Sequence, residues 1–147
     1  MIYFLNLIYG FMCAIGFAVL FNVPKKSVTK AGIAGGVGWL IHFTMTEVGA
    51  STVIATFLGS LGIAILGEIF AVFDKEPVTL YIIPGIIPLV PGFGIYYTML
   101  SLVEQNYEKA LEQGLEAMLI AILIAAALTI VLSVNNFRKK RRERSLF

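Results

Sequence analysis

The chain has 147 residues, 59% of them hydrophobic and 14% charged, and its mean hydropathy is +0.89. A soluble domain is about half apolar and about a quarter charged, and a chain this short cannot hide so much apolar surface in a water-soluble core, so the bilayer is its natural solvent. The net charge of +2 says nothing by itself about nucleic acid, and the one cysteine, Cys13, excludes an intramolecular disulfide.

Five apolar segments follow in chain order. The first, residues 2–21, has no basic residue before it, since the first charge is Lys25. It is too long for the apolar region of a signal peptide, so it is expected to persist as a helix. The second, 31–45, falls short of the roughly 20 apolar residues that a spanning helix needs and is the least certain crossing. The third, 50–73, and the fifth, 115–134, meet that length. The fourth, 78–100, meets it too but is rich in proline and glycine. The expected fold class is an all-α integral membrane protein, a bundle of about five transmembrane helices with the fourth interrupted. Residues 1–137 form a single transmembrane domain and 138–147 a basic cytoplasmic tail.

Charge placement tests that count independently. With five spans, Lys25, Lys26, Lys30, Lys75 and the basic cluster 138–144 all fall on one side. Glu47, Glu104, Glu108 and Glu112 fall on the other, where Lys109 is the only basic residue. The positive-inside rule then places the chain in the cell (inner) membrane with its N-terminus outside and its C-terminus cytoplasmic. The basic tail reads as a stop-transfer signal and headgroup anchor, and no aromatic residue interleaves with its charges to favour nucleic acid. Glu104, Glu108 and Glu112 recur every four positions and are expected to share one helix face, either a wet helix end or an acidic vestibule.

Lipid gives helices no hydrophobic drive to associate, so close packing must supply it. Small residues at four-residue spacing allow this: Gly10, Ala14 and Ala18 in the first segment, Gly32 and Gly36 in the second, Ala55 and Gly59 in the third. Five helices are little material to enclose a polar pathway, which points to an oligomer or a second membrane subunit.

The stretch 82–97, IIPGIIPLVPGFGIYY, carries the chemistry. Each of Pro84, Pro88 and Pro91 removes a backbone donor and clashes with the preceding turn. Together with Gly85 and Gly92 they should break the helix. Irregular backbone at membrane depth is tolerated only where protein buries it or water reaches it. A broken helix offers half-helix dipoles and free backbone groups that can hold a zwitterion or an anion. Tyr96 and Tyr97 add hydroxyls just beyond the break. The alternative is a kinked helix of purely structural purpose.

His42 and Glu68 are ionisable groups inside spans, and both are candidates for proton coupling. His42 is otherwise a hydrogen-bonded packing residue, and Glu68 otherwise snorkels or pairs with a partner's lysine. Glu47 and Glu116 read as interfacial. Enzyme chemistry is not expected. The single histidine and the single cysteine lie in separate spans, no metal-binding pair is present, and no Walker sequence occurs, so no catalytic residue, metal or cofactor is assigned.

Two stretches resemble a known family. The run GFAVLFNVPKKSVTKAGIAGGVGWLIH (16–42) and the run IPGIIPLVPG, followed by Tyr97 and Met99, are similar to the YjjB-type proteins of the threonine/serine exporter (ThrE) family. The chain resembles that family's short C-terminal membrane domain encoded alone. The resemblance implies export of small polar metabolites, threonine and serine above all, with dicarboxylates such as succinate for some relatives. It implies drive from the proton or ion gradient and a partner, a YjjP-like ThrE-domain membrane subunit carrying the other half. Asn22, Pro24, Pro84, Pro88, Pro91 and Gly92 match the family pattern, whereas His42 and Glu68 rest on the physical argument alone. The competing function is a non-transporting assembly or regulatory subunit, which predicts a dry, continuous bundle around 84–92.

Overall fold

The computed structural model describes the backbone of residues 1–144 and the side chains of residues 1–133. Each apolar run becomes a helix: α1 (Ile2–Leu20), α2 (Lys25–Glu47), α3 (Thr52–Asp74), α4 (Thr79–Ile86), α5 (Gly92–Val103) and α6 (Tyr107–Arg144). A 3-10 turn, Ile87–Leu89, follows α4 directly, and no strand occurs among the described residues. Helices α1, α3 and the part of α6 up to Ser133 are long and apolar enough to cross a membrane. The pair α4 and α5, bent by 47° at the break, forms a fourth span if its halves are counted together. The chain is thus an all-α membrane bundle. The side chains of the basic tail, 138–147, lie outside the described residues.

Helix α2 shows why the second segment looked short. It is a continuous helix of 23 residues, about 34 Å at 1.5 Å per residue, which is long enough to cross. It begins at Lys25 rather than near residue 31, because Lys25, Lys26 and Lys30 are its first turns and not a loop. Its composition is less apolar because Ser27, Ala31, Gly32, Ala34, Gly35, Gly36 and Gly38 are buried against protein, where no lipid-facing bulk is needed. Helices α1, α3 and α4 all pack on it.

These contacts are backbone to backbone. A Cβ at Gly35 would lie 2.5 Å from the Ala14 Cβ and 3.1 Å from the Gly85 carbonyl oxygen. One at Gly59 would lie 2.7 Å from the Gly38 carbonyl oxygen. Tight crossings of this kind replace the hydrophobic drive that lipid removes.

The connections are short and share one device. After α1, the Asn22 N–H bonds the Val19 carbonyl and the Val23 N–H bonds the Ala18 carbonyl, with Asn22 left-handed at φ 54. This is a Schellman closure, and Asn tolerates its left-handed position. Gly49 at φ 94 closes α2 in the same pattern, and Gln105 at φ 58 closes α5.

The last of these corrects an expectation. Glu104, Glu108 and Glu112 do not share one helix face: Glu104 caps α5, while Glu108 and Glu112 belong to α6. The chain reverses at 104–106, where the Asn106 side chain accepts from the Lys109 N–H at 3.2 Å and starts a new helix.

At the end of the bundle that carries Lys25 and Lys75, α2, α3 and α4 are tied by polar side chains. Lys30 pairs with Asp74, and the Tyr81 hydroxyl donates to the other Asp74 oxygen at 2.6 Å. Ser27 Oγ lies 3.2 Å from the same hydroxyl. Ser27 and Tyr81 are both fully buried. Lys26 and Glu76 form a second pair at the rim.

Candidate functional site

The break after α4 follows from local chemistry. Pro91 disfavours a helical conformation at the residue before it. Val90 is accordingly extended, at φ −61 and ψ 134, and α5 restarts at Gly92 in a new direction. Beyond this point α5 packs on α6 alone among the described helices, whereas α4 stays against α1, α2 and α3. The divergence opens a cavity of about 330 Å³ on the side of the acidic loops, within the range typical of small-molecule sites.

Three groups of residues meet there. From the break come Pro88, Leu89, Pro91, Gly92 and Tyr97. From α2 and α3 come Trp39, His42, Thr52 and Thr56, and from α6 come Gln113 and Glu116. Among the described residues Glu116 is the only acidic side chain lining the cavity, and no lysine or arginine lines it.

Hydrogen bonds fix several of these groups. The Thr56 hydroxyl donates its one proton to the Thr52 carbonyl at 2.8 Å, and it lies 3.4 Å from His42 Nδ1. With that proton committed, Thr56 can only accept from the ring, and the Ala55 backbone is a second hydrogen-bond partner of the imidazole. Trp39 stacks obliquely beside His42, with ring centroids 5.3 Å apart. The indole N–H is held at 3.1 Å by Asn6 Oδ1 of α1. On α6, Gln113 Oε1 accepts from the buried Ser101 hydroxyl at 3.2 Å, which leaves the amide NH2 as its remaining donor group.

The residues singled out in the sequence divide sharply. His42, Pro88, Pro91, Gly92 and Tyr97 meet at the cavity. Pro84 and Gly85 lie deeper, in the dry contact with α2, where Gly85 faces Gly35. Asn22 sits at the opposite end as the left-handed cap of α1. Tyr96 is exposed on α5, its ring edge-on to Tyr97. Glu68 is half-buried on α3 and does not line the cavity.

Thr52, Thr56, Gln113 and Glu116 were not singled out as site residues. Thr52 and Thr56 carry a signal, a four-residue spacing that puts both hydroxyls on one face. Glu116 has none, because at the start of an apolar run it is indistinguishable from an interfacial anchor.

Comparison with known proteins fits this arrangement. The sequence profile of the family described as threonine/serine exporter, ThrE, matches residues 6–134. An uncharacterised protein of Haemophilus influenzae is 28% identical over 110 residues, covering 72% of this chain and 37% of the relative. The chain therefore spans little more than a third of that relative's length. No solved structure matches. A match over nearly the whole membrane bundle, break and cavity included, makes this chain a member of the threonine/serine exporter family.

Proposed function

We propose that this chain is a subunit of a secondary transporter that exports threonine and serine through the cavity at the broken helix. The carrying observation is that cavity, which brings a carboxylate, an imidazole, hydroxyls and an amide donor to a helix break. A hydroxy amino acid supplies matching groups. Its ammonium suits Glu116, its hydroxyl can pair with the His42 ring, and its carboxylate suits the Gln113 amide with the N-terminal end of α5 at Gly92. A dicarboxylate such as succinate fits less well, because no cationic side chain among the described residues lines the cavity and Glu116 would repel it.

His42 is the proposed carrier of a coupling proton, since its ring faces both the solute and Thr56. Glu68, half a membrane away on α3, remains a second candidate. The proposed topology has five crossings in the cell membrane, α2 included, with the acidic loops outside and the basic end cytoplasmic. The proposed partner is a YjjP-like membrane subunit, because a half-open cavity on so small a bundle leaves one side of the solute uncovered. A non-transporting assembly subunit predicts a dry, continuous bundle at the break, and the cavity argues against it.

The test is transport of labelled threonine, serine and succinate in proteoliposomes, with this chain alone and with its candidate partner. Threonine and serine flux above succinate flux is expected once both subunits are present. No flux from a verified assembly would overturn the proposal.

A further inference from the structure

The cavity lies toward the acidic end, among residues 39–42, 52–56 and 113–120 and the helix break, and two layers separate it from the basic end. The first is dry. Leu89, on the cavity wall, packs with Ala34 and Ile63, and below them the Gly35–Gly85 contact leaves no room for a Cβ. The second layer is the polar cluster of Lys30, Asp74, Tyr81 and Ser27, which joins the first turns of α2, the last residue of α3 and the start of α4.

We propose that this cluster is the closed gate of the transport pathway at the basic end, and that α4 is the part that moves. The inference rests on the transport reading above, but its test does not depend on any solute.

Three observations carry it. First, the cluster concentrates ties on one side chain. Both Asp74 oxygens are engaged, one by Lys30 and one by Tyr81, so a single carboxylate holds α2 and α4 to α3. A buried tyrosine ending on a carboxylate is costly to leave unmatched, so the cluster favours fully closed or fully open over anything between. Second, α4 is built to move as a short unit. It is 8 residues long, and its far end runs into the 3-10 turn and the extended Val90 instead of a continuous helix. Third, α4 crosses α2 glycine on glycine, at Gly85 and Gly35, whereas toward α3 the Ile82 side chain seats against Gly67. Parting Tyr81 and Lys30 from Asp74 would release the N-terminal end of α4 and open a route from the Leu89 layer to the basic face. With the basic end tied shut and the cavity near the acidic end, the structure fits one of the two states that alternating access requires.

The test uses Leu89→Cys in a Cys13→Ala background, with a small membrane-impermeant thiol reagent added to native membrane vesicles from each face. Lys25→Cys and Glu108→Cys mark the two faces. With the gate intact, Leu89→Cys should react from the face marked by Glu108→Cys only. Tyr81→Phe removes one hydroxyl and Lys30→Met one charge. Either should raise reaction from the Lys25→Cys face by roughly tenfold, the size expected for loss of a hydrogen bond to a charged group. The swapped pair Lys30→Asp with Asp74→Lys should restore the one-sided pattern in part. Unchanged labelling from the basic face in Tyr81→Phe overturns the proposal, as does an equal rise from both faces. Tyr81→Phe decides alone if the charge variants do not accumulate in the membrane. Sided labelling that switches without any amino acid flux would overturn the transport reading and leave the gate standing, and flux without switching would do the reverse.

Discussion

The two ends of the bundle handle polar groups inside a membrane protein in opposite ways. At the basic end, Lys30, Asp74, Tyr81 and Ser27 answer one another within a packed junction of three helices. At the acidic end, polar groups of four segments face a cavity, and Glu116 makes no ion pair among the described residues. Polar groups that satisfy one another hold helices together, whereas polar groups that face space are arranged for a ligand. The difference comes from backbone. Glycines let α2, α3 and α4 close at one end, and Pro91 drives α5 away from them at the other.

The strongest way to break this contrast is to spoil the closed end. Gly35→Ala puts a methyl 2.5 Å from the Ala14 Cβ and 3.1 Å from the Gly85 carbonyl, where neither neighbour is a flexible chain end. A loss of about 1–3 kcal/mol is expected, read as a lower melting temperature in detergent. Gly16→Ala, with nothing within 4 Å of its added Cβ, should not lower stability.

The open end should respond in function and not in stability. Glu116→Gln keeps the shape and removes the charge. Threonine flux should fall by about tenfold, in line with loss of a charge-assisted contact, at an unchanged melting temperature. A succinate flux that rises in the same variant would sharpen the assignment of Glu116 to the ammonium group.

A smaller effect is expected at His42. His42→Asn retains hydrogen bonding but cannot take a proton as the imidazole can, so the pH dependence of flux should flatten. An unaltered profile would return His42 to a packing role beside Trp39 and Thr56. The smallest effect separates neighbours: Tyr97→Phe should weaken threonine transport by about threefold, the size of one neutral hydrogen bond, and Tyr96→Phe should leave it within error. Equal effects would mean that the cavity wall is drawn wrongly at α5.

Much of the fold was legible from the chain itself. The apolar runs set α1, α3 and α6, and three prolines announced the interrupted span. Reading failed where polar residues do helical work. Lys25, Lys26 and Lys30 resembled a loop because positive charge near a membrane usually marks one, yet they are the first turns of α2. Gln105 and Asn106 resembled helix interior because neither is glycine or proline, yet they reverse the chain. The candidate site was half visible. Broken backbone is written in a few adjacent prolines and glycines, so Pro88, Pro91 and Gly92 could be found locally. Gln113 and Glu116 come from α6, Thr56 from α3 and the Asn6–Trp39 pair from α1 and α2, and only packing brings these helices together. Pro84 satisfies the same local criteria as the lining residues but sits in a dry contact, and Asn22, named through the family pattern, caps a helix.

The composition of α2 has a consequence for how the protein is made. A helix carrying lysines in its first turns and glycine where others carry leucine gains little from lipid by itself. Its stability comes from α1, α3 and α4, and two of these emerge from the ribosome after it. On the proposed five-crossing topology, the packing that holds α2 in the membrane is complete only once α3 and α4 have been made.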